Sequence, residues 1–352
     1  MNPMQPDARH APAIRRWLLA CLALIALMVC VGGITRLTES GLSIVKWDLL
    51  AGTLPPMSHD AWQSEFDAYK LTPQFTKVNA HFTLADFQRI FWLEYLHRLL
   101  GRVIGLAVFL PLLYFAIRRA LPAPLLRRMV AITLLVGAQG TVGWIMVASG
   151  LVDQPRVAPV KLALHLGLAL AVFALLLWTY WQTQGHPRPD PAARRIGIGA
   201  RALLLLVAGQ IMLGALVAGL RAGYFFNTYP LMNGQWVPAD LWMLAPWWHN
   251  HLENVVMVQF QHRMGAIAVA LATVALVVYG WRRAPHLRRS LRLLAYAVAL
   301  QFTLGVATLL SLMHIGLASA HQLAALLLLC VLLRVIYLTP LDANQHATKN
   351  MG

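Results

Sequence analysis

Four histidines hold equivalent places in long apolar segments of this 352-residue chain. Within the first two turns of their segments lie His97, His165, His262 and His321. Ionisable side chains inside a membrane are costly and usually serve a function. Neutral imidazole is a common ligand of haem iron, and helical bundles build cofactor sites from facing helices. The pattern therefore favours axial ligation of two haems, one in each half of a duplicated bundle.

Other interpretations of these histidines stay open at this stage. A single histidine on an apolar helix is more often a core residue hydrogen-bonded to a neighbouring helix, but four at repeated positions favour ligation. A zinc site requires four ligands at one point, usually with cysteine or carboxylate, whereas these histidines form two separated pairs. His314 also lies near an apolar segment, seven residues before His321, but it breaks the repeat and is not expected to be a ligand.

The residue three places before the first histidine of each half differs between the halves. The first half has Glu94 there, and the second half has Gln259. A buried carboxylate can act as a base or stabilise positive charge, whereas the near-isosteric amide can do neither. The difference predicts one reactive site, with Glu94 as the catalytic residue, and one electron-transfer site. The alternative is that Glu94 is a structural ion-pair partner of Arg98 or Arg102.

Arginines beside these histidines are candidate partners of haem propionates. Arg98 and Arg102 follow the first histidine on the same predicted helix, and Arg263 follows its counterpart in the second half. Arginine binds carboxylates through charge-assisted hydrogen bonds. We therefore expect Arg98 and Arg102 to bind one haem, and Arg263 with Gln259 to border the other.

Apolar segments long enough to cross a bilayer dominate the chain. It is 59% hydrophobic and only 12% charged, and several apolar runs exceed about 18 residues, which is typical of a polytopic α-helical membrane protein. The predicted spans are eight, at residues 14–36, 88–117, 126–150, 159–182, 198–220, 256–281, 290–313 and 315–338.

Basic residues predict the orientation of these spans. The formal net charge is +16, but the arginine pairs are concentrated in short loops on one side, so no nucleic-acid partner is expected. The positive-inside rule makes that side cytoplasmic, with both termini. The first apolar segment lacks a small-residue cleavage site and no long presequence precedes it, so we expect a retained helix in a bacterial cytoplasmic membrane. The four histidines then lie in the outer half of the bilayer.

A Pro-rich segment divides the chain into two predicted halves. Residues 1–184 are expected to form an N-terminal four-helix bundle, 185–197 a cytoplasmic linker and 198–352 a C-terminal four-helix bundle. The expected fold is thus all-α, with two pseudo-symmetric bundles. Gln-x-x-x-Gly recurs in three odd-numbered spans, beginning at Gln139, Gln210 and Gln301. We interpret this repeat as close helix packing, with the glutamine bonded across the interface.

Two long loops between spans are rich in aromatic residues. They cover residues 37–87, with Trp47 among them, and residues 221–255. Such loops are expected at the outer membrane surface, as interfacial anchors or as lids over a site. The cysteines, Cys21, Cys30 and Cys330, all fall inside spans, so no disulfide or cysteine-based redox motif is expected in these loops.

Several motifs resemble those of the haem A synthase family. The matching stretches are GGITRLT at 32–38, SGLS at 40–43, PP at 55–56, EYLHR at 94–98, GR at 101–102, FNTYPLM at 226–232, EN at 253–254, VQFQHR at 258–263 and HQ at 321–322. The resemblance runs from about residue 15 to residue 338. It is greatest to the branch of the family that lacks a cysteine pair in the outer loop.

The resemblance implies an enzyme that oxidises the C8 methyl group of haem O to a formyl group by successive hydroxylations, producing haem A for cytochrome c oxidase. It also implies a resident haem b on His262 and His321, haem O on His97 and His165, and Glu94 in catalysis. Candidate partners are haem O synthase, a membrane electron acceptor such as quinone, and further copies of the chain in a homo-oligomer.

Two other functions fit the composition and the placement of the histidines. One is a dihaem b-type cytochrome that exchanges electrons with quinone and leaves haem unmodified. The other is a haem carrier that assists oxidase assembly without catalysis. The difference between Glu94 and Gln259, together with the motifs, favours the enzyme.

Overall fold

The fold is all-α. The computed structural model describes residues 3–46, 51–152 and 154–341. Eight helices within these ranges are long and apolar enough to cross a membrane, which confirms the predicted fold class. In chain order the described helices are α1 (Ala11–Leu37), α2 (His59–Lys70), α3 (Pro73–Lys77), α4 (Leu84–Ile117), α5 (Ala123–Ala148), α6 (Pro159–Gln182), α7 (Arg194–Gly219), α8 (Asn250–Glu253), α9 (Val255–Arg283), α10 (Arg288–Leu310) and α11 (Ile315–Tyr337), of which α2, α3 and α8 are short.

Local sequence explains where the spanning helices begin. At the start of α4, the Thr83 hydroxyl accepts a hydrogen bond from Asp86 N, and the Asp86 carboxylate accepts one from Thr83 N. Asn254 caps α9 by accepting from Val256 N. Pro159 is the first residue of α6, where its missing N–H costs no helical hydrogen bond. Each predicted span end lies within four residues of an observed helix end.

The eight long helices pack as two groups of four. In the first group α1, α4, α5 and α6 form a ring in which each helix contacts the next, and α7, α9, α10 and α11 form a second ring. The rings are joined where α6 packs against α7 and where α11 packs against α1 and α6. A two-fold relation between the groups, the boundaries of the halves and the cytoplasmic location of the termini stay predictions.

Each group has an apolar core at one end. In the first group this core comes from the beginnings of α1 and α5 and the ends of α4 and α6. In the second group it comes mainly from the beginnings of α7 and α10 and the ends of α9 and α11. Fully buried examples are Leu18, Val108, Leu125, Leu176, Ile196, Leu291, Leu294 and Leu332. The opposite end, where α1 finishes and α4 begins, is called the histidine end below.

The two aromatic loops at the histidine end fold differently. Residues 38–83 carry α2 and α3, and Phe66 of this loop is buried against Phe87 of α4 in an aromatic cluster. In residues 220–254 the tryptophans are largely exposed, at 69% for Trp236 and 64% for Trp247. Trp47 lies outside the described residues. The first loop thus has an aromatic core of its own, whereas the second presents aromatic side chains outward, as interfacial anchors do.

Candidate functional site

All nine residues that the sequence singles out line one cavity at the histidine end. The cavity has a volume of about 1010 Å³ and extends from the first group of helices into the second. Its lining includes His97, His165, His262, His321, Glu94, Gln259, Arg98, Arg102 and Arg263. His314, which the sequence analysis set aside, is exposed just before α11 and is not part of the lining.

The four histidines approach one another in two pairs. His97 of α4 and His165 of α6 lie near each other in the cavity lining, as do His262 of α9 and His321 of α11. In each ring of four helices the two histidine helices lie diagonally opposite, because neither contacts the other as a ring neighbour. Imidazoles that project into a bundle from opposite helices suit a flat macrocycle bound between them.

Each histidine ring lies against a glycine of the long helix that precedes it in the chain. The four glycines are Gly32, Gly143, Gly214 and Gly305. A methyl group added to Gly143 would lie 2.8 Å from Cε1 of its histidine, and one added to Gly305 would also lie 2.8 Å from Cε1 of its histidine. Carbon atoms do not pack that closely. Glycine at these positions therefore makes room for the ring beside the neighbouring backbone.

Two of the histidines are also held by a glutamine one turn before the glycine. Gln139 Nε2 donates to the backbone oxygen of His165 at 3.0 Å and lies 3.1 Å from its Nδ1. Gln210 Nε2 donates to the backbone oxygen of His262 at 2.8 Å and lies 3.0 Å from its Nδ1. Each glutamine therefore donates to the backbone of its histidine and lies within hydrogen-bond distance of the ring, where the donor and acceptor depend on the tautomer of the histidine.

The third glutamine contacts its histidine mainly through the backbone. The carbonyl oxygen of Gln301 lies 3.1 Å from His321 Nδ1, and the side-chain nitrogen of Gln301 lies 3.5 Å from His321 Nε2. The Gln-x-x-x-Gly repeat thus contacts the histidines directly, a role that the sequence analysis did not assign to it. The available signal was its register, because each copy lies on the helix just before a histidine helix.

The set of donors suits haem better than a chelated metal ion. Across the described ranges, no three His, Cys, Asp or Glu side chains come together in a group able to hold a metal. The histidines instead stand in pairs beside glycines, in a cavity with aliphatic walls that include Val136, Leu166, Ala266 and Ala325. Paired histidines in an apolar setting suit axial ligation of haem iron from both sides.

Glu94 is buried, and its carboxylate accepts five hydrogen bonds. Oε2 accepts from Ser43 N and Ser43 Oγ, both at 2.7 Å, and from Ile44 N at 3.0 Å. Oε1 accepts from Arg98 Nε at 3.0 Å and Arg98 Nη2 at 2.6 Å. Arg98 also donates to Ile44 O and Lys46 O. Glu94 and Arg98 therefore fasten this part of the first loop to α4, and both border the cavity.

Gln259 occupies the corresponding place on α9 with the polarity of its contacts reversed. Its Nε2 donates to Ala222 O at 2.9 Å and Phe225 O at 2.7 Å. Arg263 donates to further carbonyl groups of the same loop, at 2.6 to 3.5 Å. The first loop presents N–H groups to a carboxylate, whereas the second loop presents carbonyl groups to an amide. The difference between Glu94 and Gln259 thus matches the backbone that each side chain meets.

The cavity is also lined by cationic residues that the sequence analysis did not identify. They are Arg36 at the end of α1, Lys77 of α3, and Arg156 and Arg221 in loops. Arg221 forms an ion pair with Glu39. Positive charge at this end of the cavity suits a ligand that carries carboxylates, such as the propionates of haem. These residues were missed because their distance from the histidines along the chain says nothing about their distance in space.

Comparison with known proteins adds independent information. Residues 15–333 match the COX15-CtaA family, described as cytochrome oxidase assembly protein. A protein named "Heme A synthase" from Bradyrhizobium sp. (strain ORS 278) is 50% identical over 330 residues, which cover 92% of this chain and 90% of that protein. Proteins of the same name from Nitrosospira multiformis and Rhodopseudomonas palustris (strain BisB5) are 45% and 48% identical, covering 93% and 91% of this chain and 94% and 89% of their own lengths.

Proposed function

Because the chain belongs to the COX15-CtaA family of cytochrome oxidase assembly proteins, we propose that it is a haem A synthase, with haem O as substrate and haem A as product. The observation that carries this proposal is the shared cavity, which is lined by two pairs of histidines and by the buried Glu94. Support comes from the relatives named "Heme A synthase", which match over nearly the whole chain.

The first pair of histidines is proposed to receive haem O. His97 and His165 are its axial ligands in this proposal, and Glu94 is the catalytic residue, because its carboxylate borders the cavity three residues before His97. Arg102 lines the same cavity and is proposed to bind a propionate. Arg98 is proposed to contribute to substrate binding mainly by holding Glu94, to which it donates two hydrogen bonds.

The second pair is proposed to hold a resident haem b. His262 and His321 are its ligands, and Gln259 and Arg263 border it while fixing the second loop to α9. A haem b in this place would carry electrons away from the substrate. The neutral amide of Gln259 fits an electron-transfer role, because electron transfer at this pair does not need a side chain that takes up or releases a proton.

The proposed reaction oxidises the C8 methyl group of haem O to a formyl group by successive hydroxylations. Glu94 stabilises positive charge that develops beside it or accepts a proton from attacking water. Its five hydrogen bonds hold the carboxylate in one orientation. The position at which its negative charge acts is therefore set before the substrate binds, which is the condition for effective electrostatic catalysis.

The protein is a multi-pass membrane protein with bacterial relatives. We place it in the bacterial cytoplasmic membrane, with the cavity in the outer half of the bilayer. Haem O then reaches the cavity from the lipid, because its farnesyl tail is apolar. Haem O synthase as donor, quinone as electron acceptor, delivery of haem A to cytochrome c oxidase assembly and a homo-oligomeric state complete the proposal.

Extraction and chromatography of the bound haems test this function. The full-length protein is expressed in cells that make haem O but lack haem A, and cells without the protein serve as control. We expect haem A to appear only with the protein, and the purified protein to carry haem O or haem A beside haem b. If it carries haem b alone and no haem A forms, the proposal is wrong and a dihaem cytochrome fits better.

A further inference from the structure

One of the four histidines lacks the glutamine that supports the others. On α5, α7 and α10 the residue four places before the glycine that contacts the histidine ring is Gln139, Gln210 or Gln301, respectively. On α1 the corresponding residue, four places before Gly32, is Met28. A thioether has no N–H to donate and is only a weak acceptor. Met28 therefore cannot make the side-chain hydrogen bonds that Gln139 and Gln210 make to their histidines.

The His97 ring is accordingly the least restrained of the four. Within the part of the chain that the structure describes, its side chain makes no hydrogen bond. Its orientation also differs, because a methyl group on Gly32 would be nearest to Nε2 of His97, at 3.2 Å. At the other three sites the nearest ring atom is Cε1, at 2.8 to 3.1 Å. Met28 Cε lies over Gly101, one turn along α4 from His97, and offers only apolar contact.

We propose that Met28 makes His97 the exchangeable ligand of the cavity, so that a haem substrate can enter and leave the first pair. The inference rests on the proposed function, since an enzyme that turns over one haem and keeps another needs one pair that releases its haem. His165, which Gln139 holds, is the fixed partner in that pair. In the second pair Gln210 holds His262, and the backbone carbonyl of Gln301 lies 3.1 Å from His321 Nδ1, so both histidines have a polar partner, as expected for a resident haem.

The expected size of the effect follows from the behaviour of other metal-binding histidines. A partner that orients a ligating histidine typically changes metal affinity by about 10- to 100-fold. Without such a partner the ring must be ordered each time that it ligates, which costs side-chain entropy. Met28 is thus a positioning residue, and it acts on the stability of ligation at His97.

The test compares Met28→Gln with the matched apolar variant Met28→Leu. Each full-length protein is purified with its haems, reduced and exposed to carbon monoxide, which binds haem iron when one axial ligand is displaced. We expect the wild type and Met28→Leu to bind carbon monoxide at the first pair. Met28→Gln should bind at least about 10-fold less carbon monoxide there, because the added glutamine restrains the His97 ring. The haem that each variant retains through gel filtration is measured by extraction, and Met28→Gln should retain the most.

A reciprocal pair of variants tests the same idea in the other direction. Gln210→Met should make the second pair reactive towards carbon monoxide, and His97→Ala and His262→Ala assign each spectral change to its pair. The proposal is overturned if Met28→Gln and Met28→Leu react and retain haem equally, or if the wild type reacts at the second pair. It is also overturned if no variant, Met28→Gln included, retains haem at the first pair. Failure of the proposed function would appear separately, as the absence of haem A. Carbon monoxide binding and haem retention do not depend on haem A formation, because both can be measured with any bound haem.

Discussion

Replacing Glu94 with glutamine should abolish haem A formation and also destabilise the protein, and the structure shows how to separate the two effects. The carboxylate offers acceptors in two directions, towards Ser43 and Ile44 on one side and towards Arg98 on the other. An amide has only one acceptor oxygen. With that oxygen turned to the loop, its NH₂ group faces the Arg98 guanidinium and the ion pair is lost.

The destabilisation can be estimated from the burial of this ion pair. Its side chains are 2% exposed for Glu94 and 11% for Arg98. Removing one partner of a buried pair costs about 3–5 kcal/mol, because the remaining charge is left uncompensated. Arg98 keeps its hydrogen bonds to Ile44 O at 2.8 Å and Lys46 O at 3.1 Å. We therefore expect a loss near the lower limit, about 3 kcal/mol.

Two measurements on the same purified proteins examine this prediction. Denaturant unfolding in detergent gives the free energy of unfolding, and chromatography gives the haem A formed per chain. Ser43→Ala is the matched control, since it removes one donor and leaves the carboxylate, at a cost of about 1 kcal/mol. The double variant Glu94→Gln/Arg98→Leu also removes the guanidinium that faced the carboxylate, and should regain stability without regaining haem A formation.

Three outcomes would contradict these predictions. Haem A formation at the normal rate in Glu94→Gln would refute the catalytic role of Glu94. Unfolding at an unchanged denaturant concentration would refute the estimate for the buried ion pair. If the double variant with Arg98→Leu recovered haem A formation, the loss in the single variant would be structural, and Glu94 would act only by holding the first loop.

Three further substitutions test how the cavity is built. Gly143→Ala should displace the neighbouring histidine ring and remove the low-spin haem absorbance of that pair; Gly137→Ala on the same helix is the control, since a methyl group there meets no described atom within 4 Å and Gly137 does not line the cavity. Gly33→Ala should push away the side chain of Gln322, whose Nε2 donates to a carbonyl of α1 at 2.8 Å, and lower the free energy of unfolding by about 1–3 kcal/mol. His314→Ala should leave the haem content per chain unchanged, because this side chain does not line the cavity; a halved content would refute the proposed set of ligands.

Aromatic residues show how far composition alone can be interpreted. Both loops at the histidine end are aromatic, and the sequence predicts an anchor or a lid for each. The structure separates them, since Phe66 and Tyr69 of the first loop are buried against α4, whereas Trp236 and Trp242 of the second are exposed. Composition reports that a segment is apolar, but whether an aromatic ring meets protein or membrane depends on which surface lies beside it.

Much of this protein was determined by its sequence alone. The eight spans follow from apolar runs, because in a bilayer the backbone must satisfy its hydrogen bonds within each segment, so the signal is local. The four histidines, Glu94 and Gln259 stand out for the same reason, since a polar side chain in an apolar run is costly and conspicuous. The register of the Gln-x-x-x-Gly repeat is also visible in the sequence, although its partners are not.

Tertiary structure decided which groups meet. Gln210 lies 52 positions from His262, and Ser43 lies 51 positions from Glu94, so neither contact follows from a helical period. Packing of α7 against α9, and of the first loop against α4, brings these groups together. It also makes Met28 the exception among the four sites, and it places backbone N–H groups before a carboxylate and carbonyl groups before an amide. These are long-range contacts, and they exist only after the helices have packed.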